Sequence, residues 1–202
     1  MRKGEYKTIS MTVKELKDGF KLLRDLRPCA TVFGSSRATK KDPLYKEAVL
    51  LGRFLGDLGF SVITGAGPGF MEAVNKGAKL SKSLSIGLNI ALPIQQKHNK
   101  YLDRVYTFKY FYVRKVMFVK YAEMIIAFPG GTGTRDEVWE VLTLIYEKKI
   151  NPVPVILVGK DYWKIFVTVI KDMIKRGYIG VEFLSLFKIA ESANDVIGQL
   201  KL

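Results

Sequence analysis

"MIIAFPGGTGTRDEVWEVLTLIYEKK", residues 124–149, holds in one stretch the three parts on which the fold turns. Met124–Phe128 is a short apolar run stopped by Pro129, the pattern of a buried strand. Gly130-Gly131-Thr132-Gly133-Thr134 makes a turn, and "DEVWEVLTLIYEKK" reads as a helix with acidic residues in its opening turn. Downstream, "VPVILVG" (153–159) and "YWKIFVTVIKDMIKRG" (162–177) repeat the strand-then-helix pattern, and a short strand near 187 and a helix from 192 close the chain.

Upstream the alternation continues. "CATVFGSS" (29–36) is a strand, "DPLYKEAVLLGRFLGDLG" (42–59) a helix entered through Asp42 and Pro43, and "FSVITGAG" (60–67) a strand ending in glycine. Residues 69–80 read as a helix, "SLSIGLNI" (83–90) and "RVYTFKY" (104–110) as strands, and "FYVRKVMFVKYAE" (111–123) as a helix. Before all of these, "TVKELKDGFKLLRDL" (12–26) carries apolar residues at helical spacing, with Thr12 and Glu15 as a capping box. Strands alternating with helices imply parallel strands, and apolar runs without alternation imply burial on both faces. The expected fold is therefore α/β: a Rossmann-like, doubly wound, mostly parallel sheet with helices on both faces. One domain is expected over residues 1–202, with 1–28 as an N-terminal helical extension, because no linker or repeat divides the chain.

The chain has 202 residues, 48% of them hydrophobic, and a formal net charge of +14, which favours anionic partners. The basic residues are scattered, with no run of five or six and no interleaved aromatics, so nucleic acid is not the expected partner. The single cysteine, Cys29, excludes an internal disulfide and opens an apolar strand, where it reads as a core residue. Neither a signal peptide nor a membrane-length apolar run is present, so a cytoplasmic location and no membrane partner are expected.

In such sheets ligands gather beyond the carboxyl ends of the strands. Three of those ends carry unusual residues: Gly34-Ser35-Ser36-Arg37, Gly65-Ala66-Gly67-Pro68-Gly69 and Gly130–Thr134. Glycines let the backbone approach a ligand, and the unpaired N–H groups that open the next helix favour a phosphate. Thr132 and Thr134 add hydroxyl donors. No turn has the Lys-Ser/Thr pair of a P-loop. "GAGPGF" departs from the G-x-G-x-x-G dinucleotide fingerprint, and the next strand ends at Asn89 rather than at an acid. A mononucleotide fits these turns better than ATP or NAD.

Glu137 is the candidate catalyst. Two roles fit it: completing a capping box with Thr134 as N-cap, or stabilising the oxocarbenium-like state of N-glycosidic cleavage and positioning the attacking water. Asp136 and Glu140 suit the helix start through its dipole. Arg114 and Lys115 read either as surface decoration or as partners for phosphate or carboxylate. His98, the one histidine, has no metal-ligating companion and receives no role; no metal is expected.

"PGGTGTRDE" (129–137) matches P-G-G-x-G-T-x-x-E, and with "FYVRKVMF", "GAGPGFMEA" and "GSSR" in matching order it resembles the LOG proteins, the cytokinin riboside 5'-monophosphate phosphoribohydrolases, often labelled lysine decarboxylases. The likeness runs from about residue 29 to about residue 165. It implies a Rossmann-like fold, at least a homodimer, no cofactor, and hydrolysis of a nucleoside 5'-monophosphate such as AMP or an N6-substituted AMP to free base and ribose 5-phosphate. By position it implies Glu137 and Arg114 as the catalytic pair. Lys115, Gly131, Thr132, Gly133, Thr134 and Thr143 would surround the nucleotide; Gly34, Ser35, Gly65, Gly67 and Gly130 of the three turns, and Gln95 of the loop after Pro93, are further expected substrate-binding residues. The family commonly has a glutamate where this chain has Gln95, and an amide cannot take a proton as a carboxylate does. No pyridoxal-phosphate lysine motif supports the decarboxylase label. Two other readings share the fold: a nucleotide or cofactor carrier without chemistry, and a DNA-processing-type nucleic-acid binder.

Overall fold

Among the described residues seven parallel strands form one sheet in the order β4-β3-β2-β1-β5-β6-β7: β1 (Cys29–Phe33), β2 (Ser61–Thr64), β3 (Ser85–Ile90), β4 (Arg104–Phe108), β5 (Ala122–Ala127), β6 (Val155–Val158) and β7 (Lys188–Ala190). The computed structural model describes residues 2–26, 28–93 and 97–200; Gln95 lies outside them. The chain runs outward from β1 to β4, then returns to lay β5 against the other side of β1. That reversal leaves a crevice beyond the carboxyl ends of β1 and β5, where the connections depart in opposite directions.

The helices are α1 (Lys3–Leu23), α2 (Pro43–Asp57), α3 (Phe70–Leu80), α4 (Phe111–Lys120), α5 (Thr132–Tyr146), α6 (Lys160–Lys175) and α7 (Ala193–Gln199), with a 3₁₀ helix at Val181–Leu186. Side chains alternate along each strand, so the sheet feeds two cores. Phe33, Ile63, Ile125 and Leu157 meet α1, α4, α5 and α6 on one face; Val32, Val62, Ile126 and Val158 meet α2, α3 and α7 on the other. Trp163 is fully buried in the first core and its indole N–H donates to the Val158 carbonyl at 3.0 Å, which fixes the start of α6 against β6. Burying a side chain of this size contributes roughly 2–3 kcal/mol. Cys29 belongs to the same core; burial first, and then the charge of Glu123, push its thiol up to about 12, so it stays protonated.

The sequence reading and the structure differ at three element ends. The first helix opens at Lys3, not Thr12: the Thr8 and Thr12 hydroxyls donate to the Gly4 and Thr8 carbonyls, which lets both residues sit inside a helix. The Thr12–Glu15 capping box does not form. Glu15 instead crosses to α4 and accepts the Lys109 and Tyr110 N–H groups at 2.6 and 3.2 Å. With Tyr106 donating to Asp18 and Arg104 to the Leu22 carbonyl, this ties α1 to the β4–α4 connection. The fourth helix stops at Lys120, and β5 starts at Ala122, because pairing with β1 shifts register there: Cys29 faces Ala122 while Ala30 faces Met124, leaving Glu123 as a bulge.

The third difference lies at the glycine turn. The fifth helix begins at Thr132 with Gly131 as its N-cap, three residues before the expected N-cap, Thr134. Thr134 is therefore a first-turn residue and forms no capping box with Glu137. Its buried side chain folds back over Gly130, where an added Cβ would lie only 2.1 Å from the Thr134 hydroxyl. Among the described residues no helix is long and apolar enough to cross a membrane.

Candidate active site

A cavity of about 460 Å³ opens at the crevice between β1 and β5. Gly34, Ser35, Ser36 and Arg37 after β1, Gly65 after β2, Asn89 and Ile90 at the end of β3, Met71 of α3, Arg114 of α4, and Gly131–Thr134 with Glu137 of α5 form its wall. The two loops at its centre hold one another: the Ser35 N–H donates to the Pro129 carbonyl at 2.9 Å, and the Phe70 N–H donates to the Ser35 carbonyl at 3.1 Å. Among the described residues no side chain caps α5, and Gly131–Thr134, where its uncapped first turn begins, line the cavity.

Arg114 and Glu137 form the charged floor. Arg114 is buried, its Nε donates to the Leu88 carbonyl at 2.6 Å, and its guanidinium stacks 4.7 Å from the Phe118 ring centre. One terminal nitrogen reaches the Gly65 carbonyl at 3.4 Å and the other the Glu137 carboxylate at 3.5 Å. Gly65 permits this approach, since a Cβ there would sit 2.5 Å from that guanidinium nitrogen. Burial pulls the Arg114 pKa down and Glu137 opposes that. The long contact leaves Glu137 poorly compensated: burial raises its carboxyl to about 7 despite the opposing Arg114. An acid that titrates near neutrality in a cavity can exchange a proton with a reacting group.

Lys115, one residue on, points elsewhere. Its ammonium pairs with Asp136 at 2.8 Å and Glu140 at 3.2 Å; burial lowers its pKa, and the two hydrogen-bonded carboxylates outweigh that and raise it. Of the other residues singled out in the sequence, Gly34, Ser35, Gly65, Gly131, Thr132, Gly133 and Thr134 line the cavity, while Gly67, Gly130, Lys115 and Thr143 do not. The Gly67 carbonyl accepts from the Asn99 amide at 3.0 Å, the Gly130 carbonyl accepts from the Tyr162 hydroxyl, and Thr143 is exposed further along α5.

Sequence reasoning did not assign Ser36, Arg37, Met71, Asn89 or Ile90 to the site. Ser36 and Arg37 continue the glycine-serine loop and Asn89 ends a strand, which were usable signals; Met71 and Ile90 gave none. Asn89 also lines a neighbouring cavity of about 670 Å³ with Ile90, Ala91, Leu92, Pro93, Lys97, His98 and Thr107, so His98 borders the site region after all. Among the described residues no group of His, Cys, Asp and Glu could hold a metal ion.

A family model described as "possible lysine decarboxylase" matches residues 71–200, which include Asn89, Arg114, the glycine turn and Glu137. A cytokinin riboside 5'-monophosphate phosphoribohydrolase of Arabidopsis thaliana is 27% identical over 192 residues, covering 94% of this chain and 85% of that protein. A pyrimidine/purine nucleotide 5'-monophosphate nucleosidase of Escherichia coli is 29% identical over 147 residues, covering 66% of this chain but only 32% of that longer protein. The molybdenum cofactor binding protein of Rippkaea orientalis superimposes with a TM-score of 0.63 at 24% identity, over 87% of this chain and 96% of that one, and shares its fold. The glycine turn, the Arg114–Glu137 floor and the extent of the family match agree: the chain belongs to the LOG family, the one described as possible lysine decarboxylases.

Proposed function

We propose that the chain hydrolyses the N-glycosidic bond of a nucleoside 5'-monophosphate, AMP or an N6-substituted AMP, to free base and ribose 5-phosphate. The observation that carries this reading is Glu137: a carboxyl raised to about 7, one helical turn from unpaired N–H donors, in the cavity of a sheet switch point. The phosphate sits against the N–H groups of Gly131–Thr134, with Arg37 at the mouth. The ribose then lies over Arg114 and Glu137, and the base extends past Asn89 toward the neighbouring cavity. As the C1'–N bond breaks, its electron pair leaves with the base, and the ionised Glu137 stabilises the cationic sugar carbon. Water adds its oxygen to C1', keeps one proton as the new hydroxyl and gives the other to Glu137, which passes it to the departing base and is ionised again. Arg114, held by the Leu88 carbonyl, keeps Glu137 in place.

The names of the nucleotide-cleaving relatives support this reading. A cytoplasmic assembly of at least two copies is part of it, and α4 exposes Phe111, Tyr112 and Val116 beside the site-bearing Arg114. A second reading, a carrier without chemistry, draws on the shared fold of the molybdenum cofactor binding protein. Incubation with AMP and with N6-prenylated AMP, followed by chromatography for free base, separates the two. Release of base from either supports hydrolysis; ribose 5-phosphate binding with no base released leaves the carrier standing.

A further inference from the structure

We propose that Tyr162, on α6 and outside the cavity wall, is a positioning residue that aims the Gly130–Gly131 peptide at the phosphate, with Arg135 holding the tyrosine in place. This rests on the reading that the glycine turn binds a phosphate monoester.

The Tyr162 hydroxyl donates to the Gly130 carbonyl and accepts from Arg135 Nε at 3.1 Å. The Arg135 guanidinium also lies 5.1 Å from the centre of the Tyr162 ring, and the ring meets Trp163 edge-on at 5.0 Å. Trp163 is fully buried, so the tyrosine stands on a fixed base. Among the described residues every peptide bond is trans, and in a planar trans peptide the C=O and N–H point in opposite directions. A Gly130 carbonyl pulled toward α6 therefore turns the Gly131 N–H away from α6. Gly131 lines the cavity and Gly130 does not, so that N–H faces the ligand side. Glycine at both ends of this peptide leaves it free to rotate otherwise. The Tyr162 hydroxyl thus removes a freedom that would dilute the first donor of the phosphate cradle, and Arg135 adds positive charge behind it.

Tyr162→Phe keeps the ring and removes the hydroxyl. Its affinity for ribose 5-phosphate, measured by titration calorimetry, is expected to fall about tenfold, the worth of one well-aimed hydrogen bond. Its melting temperature is expected to stay within a few degrees of wild type. Tyr146→Phe serves as the control: that hydroxyl bonds Glu182 and the Gly180 N–H, away from the cavity, and its loss leaves ribose 5-phosphate affinity unchanged. Arg135→Gln weakens binding as well, and combined with Tyr162→Phe the losses are less than additive, since both act through one peptide. If wild-type protein binds ribose 5-phosphate and Tyr162→Phe binds it equally well, the positioning role is overturned alone. If wild-type protein ignores ribose 5-phosphate, the phosphate reading fails and this proposal fails with it.

Discussion

Two carboxylates of low exposure, Glu15 and Glu137, sit on helices that pack on the same face of the sheet, and their surroundings differ in kind. Glu15 is 6% exposed and accepts two backbone N–H groups at 2.6 and 3.2 Å, both at the start of α4. Among the described residues Glu137 has one ion-pair partner, Arg114, at 3.5 Å, beyond good hydrogen-bond length, and its open side faces the cavity. The first carboxylate is consumed by the protein's own backbone. The second is largely withdrawn from solvent and held by one long contact, an arrangement that costs stability and leaves a group able to act on a ligand.

The widest separation between the two is expected in turnover. Glu137→Gln lowers the rate of base release by about 10²–10⁴-fold while ribose 5-phosphate affinity is retained. Glu15→Ala changes the rate of the folded protein by no more than about threefold, the shift of a loosened α4 rather than of a lost reacting group. Equal losses in both, in a steady-state assay, would erase the distinction.

The pH profile sharpens it. With Glu137 raised to about 7, log kcat/KM climbs as pH rises toward neutrality and levels off above it, and the profile reports this group in the free enzyme. In Glu137→Gln the residual activity shows no such rise.

Stability should move in opposite directions in the two variants. Because the folded-state pKa of Glu137 lies above its ordinary 4.5, the folded protein holds a proton that the unfolded chain releases. Its contribution is present in full below about pH 4.5 and is lost as pH rises through about 7, an effect on the order of 3 kcal/mol. Glu137→Gln removes this decline and is more stable than wild type at pH 8 by urea unfolding. Glu15→Ala strands two N–H donors and is less stable by about 1–3 kcal/mol.

The smallest effect tests the neighbouring contrast between helix starts. Asp42 caps α2 by accepting the Leu44 N–H at 2.9 Å, whereas α5 has no side-chain cap and opens onto the cavity. Asp42→Ala is expected to cost about 1 kcal/mol in denaturant unfolding with no change in turnover. A large loss of activity in this variant would mean that α2 and the site are coupled in a way these contacts do not carry.

Much of this was legible beforehand, and the misses share a cause. Asp42 and Pro43 announced the start of α2 because a cap and an N1 proline act within one turn of backbone. The glycine run after β5 announced a place for close approach for the same local reason. The start of α5 was misread because Thr134 looks like a cap in sequence, yet its side chain packs on Gly130 and leaves Gly131 to open the helix. Glu15 was misread because its partners, Lys109 and Tyr110, lie far along the chain.

The sequence by itself determined the order of strands and helices, the doubly wound class and the three glycine-bearing strand ends, since hydrophobic period and turn residues are properties of neighbours in the chain. Only the tertiary structure decided that Glu137 meets Arg114 at the floor of a cavity, that Lys115 turns instead to Asp136 and Glu140, and that Tyr162 grips Gly130. Each of those outcomes depends on which side chains the sheet order brings within a few ångströms, and spacing along one segment carries no record of that.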